Sequence, residues 1–290
     1  MDYLGNDLKS VLVTGARGFL GRKVSSLLCG HYQVYNTSKI ASDNLYQCDL
    51  LQSDAVHDLI CRISPDLIVH CAAEVPLSFS SYNNQGSANN NLMMIQNLVS
   101  STRCPILNIS SMTVYDANEC STPMKETDAG SPNSAYATGK WKCEQFLQSL
   151  DRPTLSVRIP GLYGLERKSG LVYNIINSAI SNHSVALPDS PLMWAAMHVN
   201  DASAAVAALV SRPWNGFTSV NCGYKGKFSI NHLLSVIDKL TGSNLLSSYP
   251  NINHPVFEFD LTRASVLDII PSTDLFNSLA LFISELNSND

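Results

Sequence analysis

Short apolar runs alternate with amphipathic, helix-like segments through the first 160 residues of this chain. The pattern predicts strands at 11–14, 32–36, 66–71, 106–110 and 155–159, with a further short strand approaching Asp49. Strands that alternate with helices are typical of a parallel sheet covered by helices on both faces. Right-handed crossover connections then order these strands as a doubly wound sheet, so we predict an α/β fold.

After Gly164 this regular alternation ends. The pattern predicts helices at 171–180, 200–210, 230–240 and 275–286, and short strands at 185–187 and 217–221. We expect the stretch that contains the helix at 200–210 and the strand at 217–221 to return to the main sheet. The other segments predict a smaller C-terminal lobe.

The composition narrows the class of protein. With 290 residues, 45% of them hydrophobic, the chain is long enough to bury a sizeable core. The net charge is -5 and no stripe of Lys and Arg is present, so we predict no binding to nucleic acid. No run reaches the ~18 apolar residues of a membrane helix, and the N-terminus lacks a charged segment followed by an apolar one. We therefore predict a soluble, cytoplasmic protein with no membrane partner.

The cysteines show no metal-binding pattern. They are scattered without a CxxC pair or a neighbouring His arrangement suited to zinc, so we predict reduced thiols and no metal site. Cys71 and Cys222 lie within apolar runs and are predicted to be small core residues. The full set is Cys29, Cys48, Cys61, Cys71, Cys104, Cys120, Cys143 and Cys222.

A glycine-rich segment, TGARGFLG, follows the first predicted strand. It places Gly15, Gly18 and Gly21 between a buried strand and a helix with apolar residues at helical spacing. Glycines at such a turn let the backbone approach a pyrophosphate, and the helix N-terminus offers unpaired N–H groups and a favourable dipole. A lone glycine triplet is also compatible with a simple tight turn. Its place between strand and helix predicts a dinucleotide-binding loop.

Tyr136 and Lys140 lie four residues apart in the stretch SAYATGKWKCEQFL. On a helix this spacing puts both side chains on one face, where the Lys140 ammonium can favour the ionised phenol of Tyr136. A phenol with an ordinary pKa of about 10 needs such help to move protons at neutral pH. The pair alone is also compatible with two solvated helix residues.

Ser111 supplies a hydroxyl at the end of the strand predicted at 106–110, in PILNISSMTVYD. Ligands collect beyond the carboxyl ends of parallel strands, so we expect Ser111, Tyr136 and Lys140 to converge. In this order and at these separations, TGxxGxxG, SSxxVY and YxxxK resemble the extended short-chain dehydrogenase/reductase family, also called the NAD-dependent epimerase/dehydratase family. The resemblance extends over nearly the whole chain and includes VHCAAE, Asn91 opening a helix, and HVND at 198–201.

The resemblance implies a Rossmann fold with a substrate-binding lobe. Residues 1–164 would form the dinucleotide-binding domain, to which 197–223 return, and 165–196 with 224–290 would form the lobe. In this family the Tyr is the general acid/base, the Lys contacts the nicotinamide ribose and lowers the pKa of the Tyr, and the Ser hydrogen-bonds the reacting oxygen. Those roles transfer to Tyr136, Lys140 and Ser111, with Ser110 as the alternative serine. Together with Tyr136 and Lys140, the predicted cofactor contacts are Gly15, Arg17, Gly18, Phe19, Leu20, Gly21, Asn36, Lys39, Asp49, Leu50, Ala72 and Ala73.

The choice of cofactor depends on the residues after the second strand. NAD binding usually places an acid there to accept the ribose 2′-hydroxyl, whereas this chain has Asn36, Thr37, Ser38 and Lys39. Lys39 and Arg17 together would neutralise a 2′-phosphate, although both are also compatible with ordinary solvated residues. We predict NADP as the preferred cofactor, with NAD as the alternative.

Two absences narrow the reaction that the resemblance implies. Dehydratases and decarboxylases of the family carry an acid just after the catalytic Ser or Thr, where this chain has Met112 and Thr113. The Cys and His pair of the 3,5-epimerase/reductase members has no clear match, since Cys104 precedes the strand and no His follows LYG before His183. Carbonyl reduction, alcohol oxidation and 4-epimerisation remain, and a preference for NADP favours net reduction of a keto-sugar.

The family's usual substrate is a nucleoside diphosphate sugar, which we predict for this chain. Two departures count against it: Gly161 replaces the Asn that contacts the pyrophosphate, and Trp194 replaces the Arg four residues before HV. One alternative is therefore an enzyme for a small non-nucleotide hydroxy or keto substrate. Another is a non-catalytic NADP-binding regulator, although a regulator would have no need of Ser111, Tyr136 and Lys140. A homodimer is compatible with the resemblance.

Other residues have structural interpretations. The side chain of Trp194 is predicted to pack within the lobe rather than to stack on a base. The HVND segment is structural in the family, and Asn200 or Asp201 is predicted to cap the following helix rather than to act in catalysis with His198. The candidate phosphate partners, which are also compatible with solvated surface charges, are Arg167, Lys168, Lys225 and Lys227.

Overall fold

The computed structural model describes residues 2–3, 8–76, 79–115, 123–130, 132–181, 187, 190–249 and 252–288. Its strands are β1 (Asp2–Tyr3), β2 (Ser10–Thr14), β3 (Gln33–Ser38), β4 (Tyr46–Gln47), β5 (Leu67–His70), β6 (Ile106–Ser111), β7 (Thr154–Ile159), β8 (Gly161–Tyr163), β9 (Ala196–His198), β10 (Trp214–Asn215) and β11 (Phe217–Asn221). Its helices are α1 (Gly21–Leu28), α2 (Ser53–Ile63), α3 (Gln85–Ser101), α4 (Ala135–Gln148), α5 (Leu171–Ser181), α6 (Val199–Val210), α7 (Ile230–Thr241), α8 (Leu245–Ser248), α9 (Thr262–Val266) and α10 (Leu275–Asn287). Short 3-10 helices span Phe79–Asn83, Met112–Val114 and Glu126–Asp128.

Seven of these strands form one sheet in the order β11-β7-β6-β5-β2-β3-β4. Every pair of neighbours within it is parallel. The chain builds outward from β2 to β4, crosses back to β5, and then builds outward in the other direction to β11. This topology confirms the predicted doubly wound α/β fold. The reversal between β2 and β5 creates a crevice at the carboxyl ends of the strands, where such folds bind ligands.

The central strands are apolar runs because both of their faces are covered. Val11 and Val13 of β2 pack in the larger of the two main hydrophobic clusters, whereas Leu12 between them packs in the other. Successive side chains of a strand point to opposite faces, so one apolar run supplies two cores. Helices α1 and α6 pack together, as do α2 with α3 and α3 with α4. The strand at 217–221 joins the main sheet as β11, as predicted.

The C-terminal half contains smaller elements. Strands β8 and β9 pair in a separate parallel sheet of two strands, and α5 packs against α7. Helix α7 begins after Ser229, whose hydroxyl accepts from the His232 N–H at 3.1 Å, and it ends at Gly242 with φ of +71°. Residues 185 and 186 of the strand predicted at 185–187 lie outside the described residues. The domain boundaries at 164, 197 and 223 stay a prediction.

Two local predictions are wrong. Asn91 does not open a helix but lies buried within α3, where its Oδ1 accepts from the Glu74 N–H at 2.7 Å and its Nδ2 donates to the Glu74 carbonyl at 3.1 Å. The helix begins six residues earlier because Asn84 caps it, accepting from the Ser87 N–H at 3.1 Å. Asn91 therefore fixes the loop that follows β5.

The cap of α6 is also two or three positions earlier than predicted. The His198 Nδ1 accepts from the Asn200 N–H at 3.2 Å, because the chain passes from β9 directly into the helix. The Asp201 carboxylate instead accepts a hydrogen bond from the Tyr224 hydroxyl. The HVND segment thus orients a helix as predicted, with His198 rather than Asn200 or Asp201 as the capping residue.

Three features of the described part of the chain concern membranes, thiols and metal ions. None of its helices combines the length and the apolar character needed to cross a membrane. Its cysteines are free thiols, with Cys222 buried and Cys71 half-buried, and Cys120 lies outside the described residues. Over the same residues, no group of three or more His, Cys, Asp or Glu side chains is arranged to hold a metal ion.

Candidate active site

The glycine loop between β2 and α1 lies directly against the end of β5. Gly15 has φ of +65°, and a Cβ on it would lie 2.7 Å from the Ala72 Cα. A Cβ on Gly21 would lie 2.3 Å from the Gly15 carbonyl oxygen. Both distances are shorter than any carbon contact that a folded protein tolerates, so these two positions require glycine. The loop is therefore packed closely against the end of β5 and against the start of α1, and its role in binding a pyrophosphate stays a prediction.

The start of α1 is suited to an anion. No side-chain hydrogen bond caps the helix at Leu20, and its first turn has no acidic residue. The Ala16 N–H donates to the Thr37 carbonyl at 3.1 Å, which ties the loop to the end of β3. Arg17 is exposed beside this start. Backbone N–H groups and the helix dipole at such a terminus favour phosphate.

Three predicted cofactor residues lie on or after β3: Asn36 lies within it, Lys39 follows it, and Asp49 follows β4. The Asn36 Oδ1 is buried and has no hydrogen-bond partner among the described residues. A buried acceptor without a donor is unfavourable, and a ribose hydroxyl would satisfy it. The Lys39 Nζ lies 3.0 Å from the Asp49 Oδ2, so these two residues contact each other. Partial burial opposes ionisation of Asp49, but its hydrogen bonds to Lys39 and the Leu51 N–H hold its pKa below the usual value.

Ser111 ends β6, and its hydroxyl faces the crevice. The Ser111 Oγ accepts from the Thr113 N–H at 3.2 Å and from the Thr113 hydroxyl at 3.0 Å. The Ser111 side chain also lies near the phenol of Tyr136, where it acts to lower the pKa of that phenol. Ser110, the alternative, points to the other face of the sheet and donates to the Glu144 carboxylate. Of the two serines, the geometry brings Ser111 to Tyr136.

Tyr136 and Lys140 lie on the first turns of α4. The helix starts after Ser134, whose hydroxyl accepts from the Ala137 N–H at 3.2 Å. The Lys140 Nζ lies 5.9 Å from the centroid of the Tyr136 ring and donates to the Ile109 carbonyl at 2.8 Å. Only 5% of Lys140 is exposed. The three residues predicted for catalysis therefore lie together at the carboxyl edge of the sheet, and their roles remain predictions.

The acidity of the phenol differs from the sequence-based expectation. Burial raises the pKa of Tyr136 to about 12, while the nearby Ser111 side chain and the Arg167 guanidinium act in the opposite direction. Burial also lowers the pKa of Lys140. We expected Lys140 to lower the pKa of Tyr136, but the cost of burying a phenolate outweighs the effect of charges nearby. At neutral pH the phenol is therefore protonated.

Sequence reasoning missed Tyr82, which lies in the 3-10 helix Phe79–Asn83. Its ring meets the Tyr136 ring edge-on, with 5.7 Å between centroids and an interplanar angle of 83°. Burial raises its pKa, and the nearby Arg167 guanidinium acts against that shift. No periodicity or motif marks this segment, so the sequence carried no signal for it.

The predicted substrate residues fall into different environments. Arg167 is half-buried, with its Nε donating to the Ser169 hydroxyl at 3.4 Å, whereas the three candidate lysines are exposed. Trp194 is buried in the larger core cluster, which confirms the prediction that it packs. The Gly161 N–H donates to the Ala195 carbonyl at 3.2 Å across the β8–β9 pair. The lysines are Lys168, Lys225 and Lys227.

A buried ion pair behind the sheet edge was also missed. The Arg158 Nη2 lies 2.7 Å from the Glu144 Oε2, and the Arg158 Nε lies 3.1 Å from the Glu144 Oε1. Both residues are 1% exposed. The Tyr115 hydroxyl accepts from the Arg158 Nη1 at 2.9 Å and donates to the Asn221 Oδ1 at 2.6 Å. The spacing of Glu144, four residues after Lys140 on one helix, was the available signal.

Comparisons with known proteins concern the family and the fold of this chain. The sequence profile described as the NAD dependent epimerase/dehydratase family matches residues 11–223. The chain is 30% identical over 165 residues to methionine adenosyltransferase 2 subunit beta from Bos taurus, a match that covers 54% of this chain and 48% of that protein. It is 28% identical over 159 residues to dTDP-4-dehydrorhamnose reductase from Aggregatibacter actinomycetemcomitans, which covers 53% and 52%. The matches thus span about half the length of these curated relatives.

The fold is shared with solved structures. The structure of UDP-glucose 4-epimerase with UDP-glucose from Thermotoga maritima superposes with a TM-score of 0.80 over 97% of this chain and 99% of that chain. The sequence identity is 19%, so the likeness concerns the fold.

Proposed function

Because the chain belongs to the NAD dependent epimerase/dehydratase family, enzymes of the extended short-chain dehydrogenase/reductase type, we propose that it acts on a nucleotide-linked sugar as an NAD(P)-dependent oxidoreductase or epimerase. The preferred reaction is reduction of a keto-sugar. The observation that carries the proposal is the meeting of Ser111, Tyr136 and Lys140 beside a glycine loop suited to a dinucleotide. The likeness to a dehydrorhamnose reductase supports reduction, and the fold shared with a UDP-glucose epimerase supports a nucleotide sugar.

The residues of the site would have different roles in such a reduction. The glycine loop and the start of α1 would hold the pyrophosphate, and Asn36 would bind the adenosine ribose. A bound nicotinamide cofactor supplies the hydride. Ser111 would orient the substrate carbonyl, and Tyr136 would donate its proton to the carbonyl oxygen. A pKa of about 12 keeps the phenol protonated and ready to act as the acid, and the adjacent Lys140 would stabilise the phenolate that remains.

NADPH is expected to bind more tightly than NADH. A 2′-phosphate would gain charge-assisted hydrogen bonds from Lys39 and Arg17, and one such bond contributes about 1.5–3 kcal/mol, which is roughly tenfold or more in affinity. Calorimetric titration with both cofactors measures the difference. Lys39→Met is the matched variant: it should weaken NADPH while leaving NADH affinity near the wild-type value. Equal or tighter binding of NADH to the wild type would contradict the assignment.

At least one nucleoside diphosphate is expected to raise the melting temperature in the presence of cofactor. A ligand at ~100 times its dissociation constant stabilises a protein by about 2.7 kcal/mol, which is readily detected. The melting temperature should rise by different amounts with UDP, GDP, CDP and dTDP, because the site would contact the base. Arg167→Met should reduce the shift and Lys168→Met should not, since only Arg167 lies close to Tyr136. If a free sugar or a simple hydroxy acid shifts melting and no nucleotide does, the small-substrate alternative is correct.

A regulatory function is the second candidate. It is favoured by the curated relatives of about 30% identity, which are named as a subunit of methionine adenosyltransferase 2. A regulator needs the cofactor site but not the proton donor. Three results together would favour this function over the enzyme. The protein would bind NADP(H) tightly, it would reduce no keto-sugar, and Tyr136→Phe would not change the result of a partner-binding assay.

A further inference from the structure

A buried carboxylate lies directly behind the residues that we assign to catalysis. Glu144 is one helical turn after Lys140 on α4, and it contacts neither the crevice nor the solvent. The Arg158 guanidinium binds both of its oxygens, at 2.7 Å from Nη2 to Oε2 and 3.1 Å from Nε to Oε1. The steps of the proposed reduction give this carboxylate no task.

Stability alone does not explain the pair. A buried ion pair is often no more stabilising than a well-packed apolar pair of the same size, because both charges lose their hydration. Here the charges are nevertheless fully satisfied, since Arg158 also donates to the Tyr115 hydroxyl at 2.9 Å and to the Glu126 carbonyl at 2.7 Å. A network of this kind holds its members in one geometry.

The first link from this network to the crevice is Ser110. Its hydroxyl donates to the Glu144 Oε1 on one side of the sheet, while the next residue, Ser111, presents its hydroxyl to Tyr136. Adjacent residues of a strand point to opposite faces, so fixing Ser110 also fixes the direction of Ser111.

The second link is electrostatic and concerns Lys140. Four groups lie near enough to interact electrostatically with this ammonium. Cys143 and Glu144 lie on its own helix, His70 lies at the end of β5, and Cys71 directly follows β5. Burial raises the pKa of Cys71 to about 12 and that of Cys143 to about 11, and it lowers the pKa of His70 to about 3. All three are neutral at pH 7. The phenol of Tyr136, the ring nearest to Lys140, is protonated as well.

We infer that Glu144 is a positioning residue: held by Arg158, it fixes Ser111 through Ser110 and supplies the negative charge that keeps the buried Lys140 protonated for the cofactor ribose and for Tyr136. The inference rests on the proposed function, because it assigns Glu144 to the same centre. Glu144 would contact neither substrate nor cofactor. Its loss would nevertheless change the chemistry of Lys140, which would contact the cofactor.

The test is the titration of Lys140 itself. The protein is labelled with ¹³C at the lysine Cε atoms, and the Lys140 signal is assigned from its absence in Lys140→Arg. Glu144→Gln keeps the shape and an acceptor for Ser110 but removes the charge, so the pKa of Lys140 should fall by about one unit. Glu126→Gln is the matched control. Its carboxylate belongs to the same network, accepting from the Asn221 N–H at 2.9 Å, but lies at the far end from Lys140.

Cofactor affinity measured from about pH 7 to 10 connects this titration to function. In Glu144→Gln the alkaline loss of NADPH affinity should begin about one pH unit lower than in the wild type, which is a tenfold weaker Kd at a fixed alkaline pH. Glu126→Gln should follow the wild type. If Glu144→Gln fails to fold, Glu144→Gln/Arg158→Met removes both charges. Loss of the Arg158 cation by itself would raise the pKa of Lys140, so a smaller fall is expected than in Glu144→Gln, and no fall overturns the inference.

The outcomes separate this inference from the proposed function. An unchanged pKa of Lys140 in folded Glu144→Gln overturns the inference, and so does an equal shift in Glu126→Gln, which would indicate a general loss of packing. A wild type that binds neither NADPH nor NADH overturns the proposed function instead. In that case the Lys140 titration, which needs no cofactor, still decides whether Glu144 controls this charge.

Discussion

Tyr136→Phe is expected to reduce turnover by about 10²-fold or more while cofactor affinity stays near that of the wild type. The substitution removes the phenolic proton that lies near Ser111 and Lys140 and leaves the ring in place against Tyr82. Steady-state kinetics on the nucleotide sugar identified by thermal shift, together with calorimetry of NADPH binding, measures the two quantities separately.

The matched control is Tyr35→Phe. Tyr35 lies on β3, half-buried, with its ring edge-on to Tyr46 at 6.0 Å. Loss of this hydroxyl should leave turnover within about twofold of the wild type. Near-normal turnover of folded Tyr136→Phe would rule out the phenol as the general acid.

Arg158→Met is expected to lower the free energy of unfolding by about 3–5 kcal/mol. The change leaves the Glu144 carboxylate buried without its partner and removes a donor from the Tyr115 hydroxyl and from the Glu126 carbonyl. Urea denaturation at pH 7, followed by circular dichroism, measures the loss. A decrease of this size is a large part of the stability of an ordinary domain.

Two further variants identify the cause of that loss. Glu144→Leu/Arg158→Met removes both charges and should recover much of the stability, since an apolar pair has no unpaired charge. Arg212→Met breaks an ion pair with Asp268 in which the carboxylate side chain is 88% exposed, and it should cost about 1 kcal/mol or less. A cost for Arg158→Met no greater than that for Arg212→Met would show that the buried pair is not coupled as described.

The parallel sheet was predictable because its strands are buried on both faces and therefore appear as continuous apolar runs. The small β8–β9 pair was not, since three-residue strands carry no periodicity. Asn91 illustrates a different failure. A run of Asn residues favours a helix start, but the sequence does not show which of them lies beside the loop after β5. The helix starts at the cap of Asn84, whereas Asn91 is held by a tertiary contact that the local sequence does not encode.

The candidate site also has one part that the sequence predicts and another that it does not. Motif spacing was enough to bring Ser111, Tyr136 and Lys140 together, because a strand end and one face of a helix are local features. The direction of the Tyr136 pKa shift was not predictable, since it depends on how deeply neighbouring segments bury the phenol. Tyr82 contributes to that burial from a segment without any motif.

The contact between Lys39 and Asp49 gives the cofactor site an internal competitor. A 2′-phosphate that binds Lys39 must displace a carboxylate from it, whereas a cofactor without the phosphate leaves the pair intact. The side chain of Lys39 is 68% exposed, and an ion pair this exposed contributes about 0–1 kcal/mol, so the displacement weakens NADP by roughly fivefold at most. Added salt screens the competing carboxylate as well as the phosphate. The discrimination between the two cofactors should therefore vary less with ionic strength than it would for a lysine without a partner.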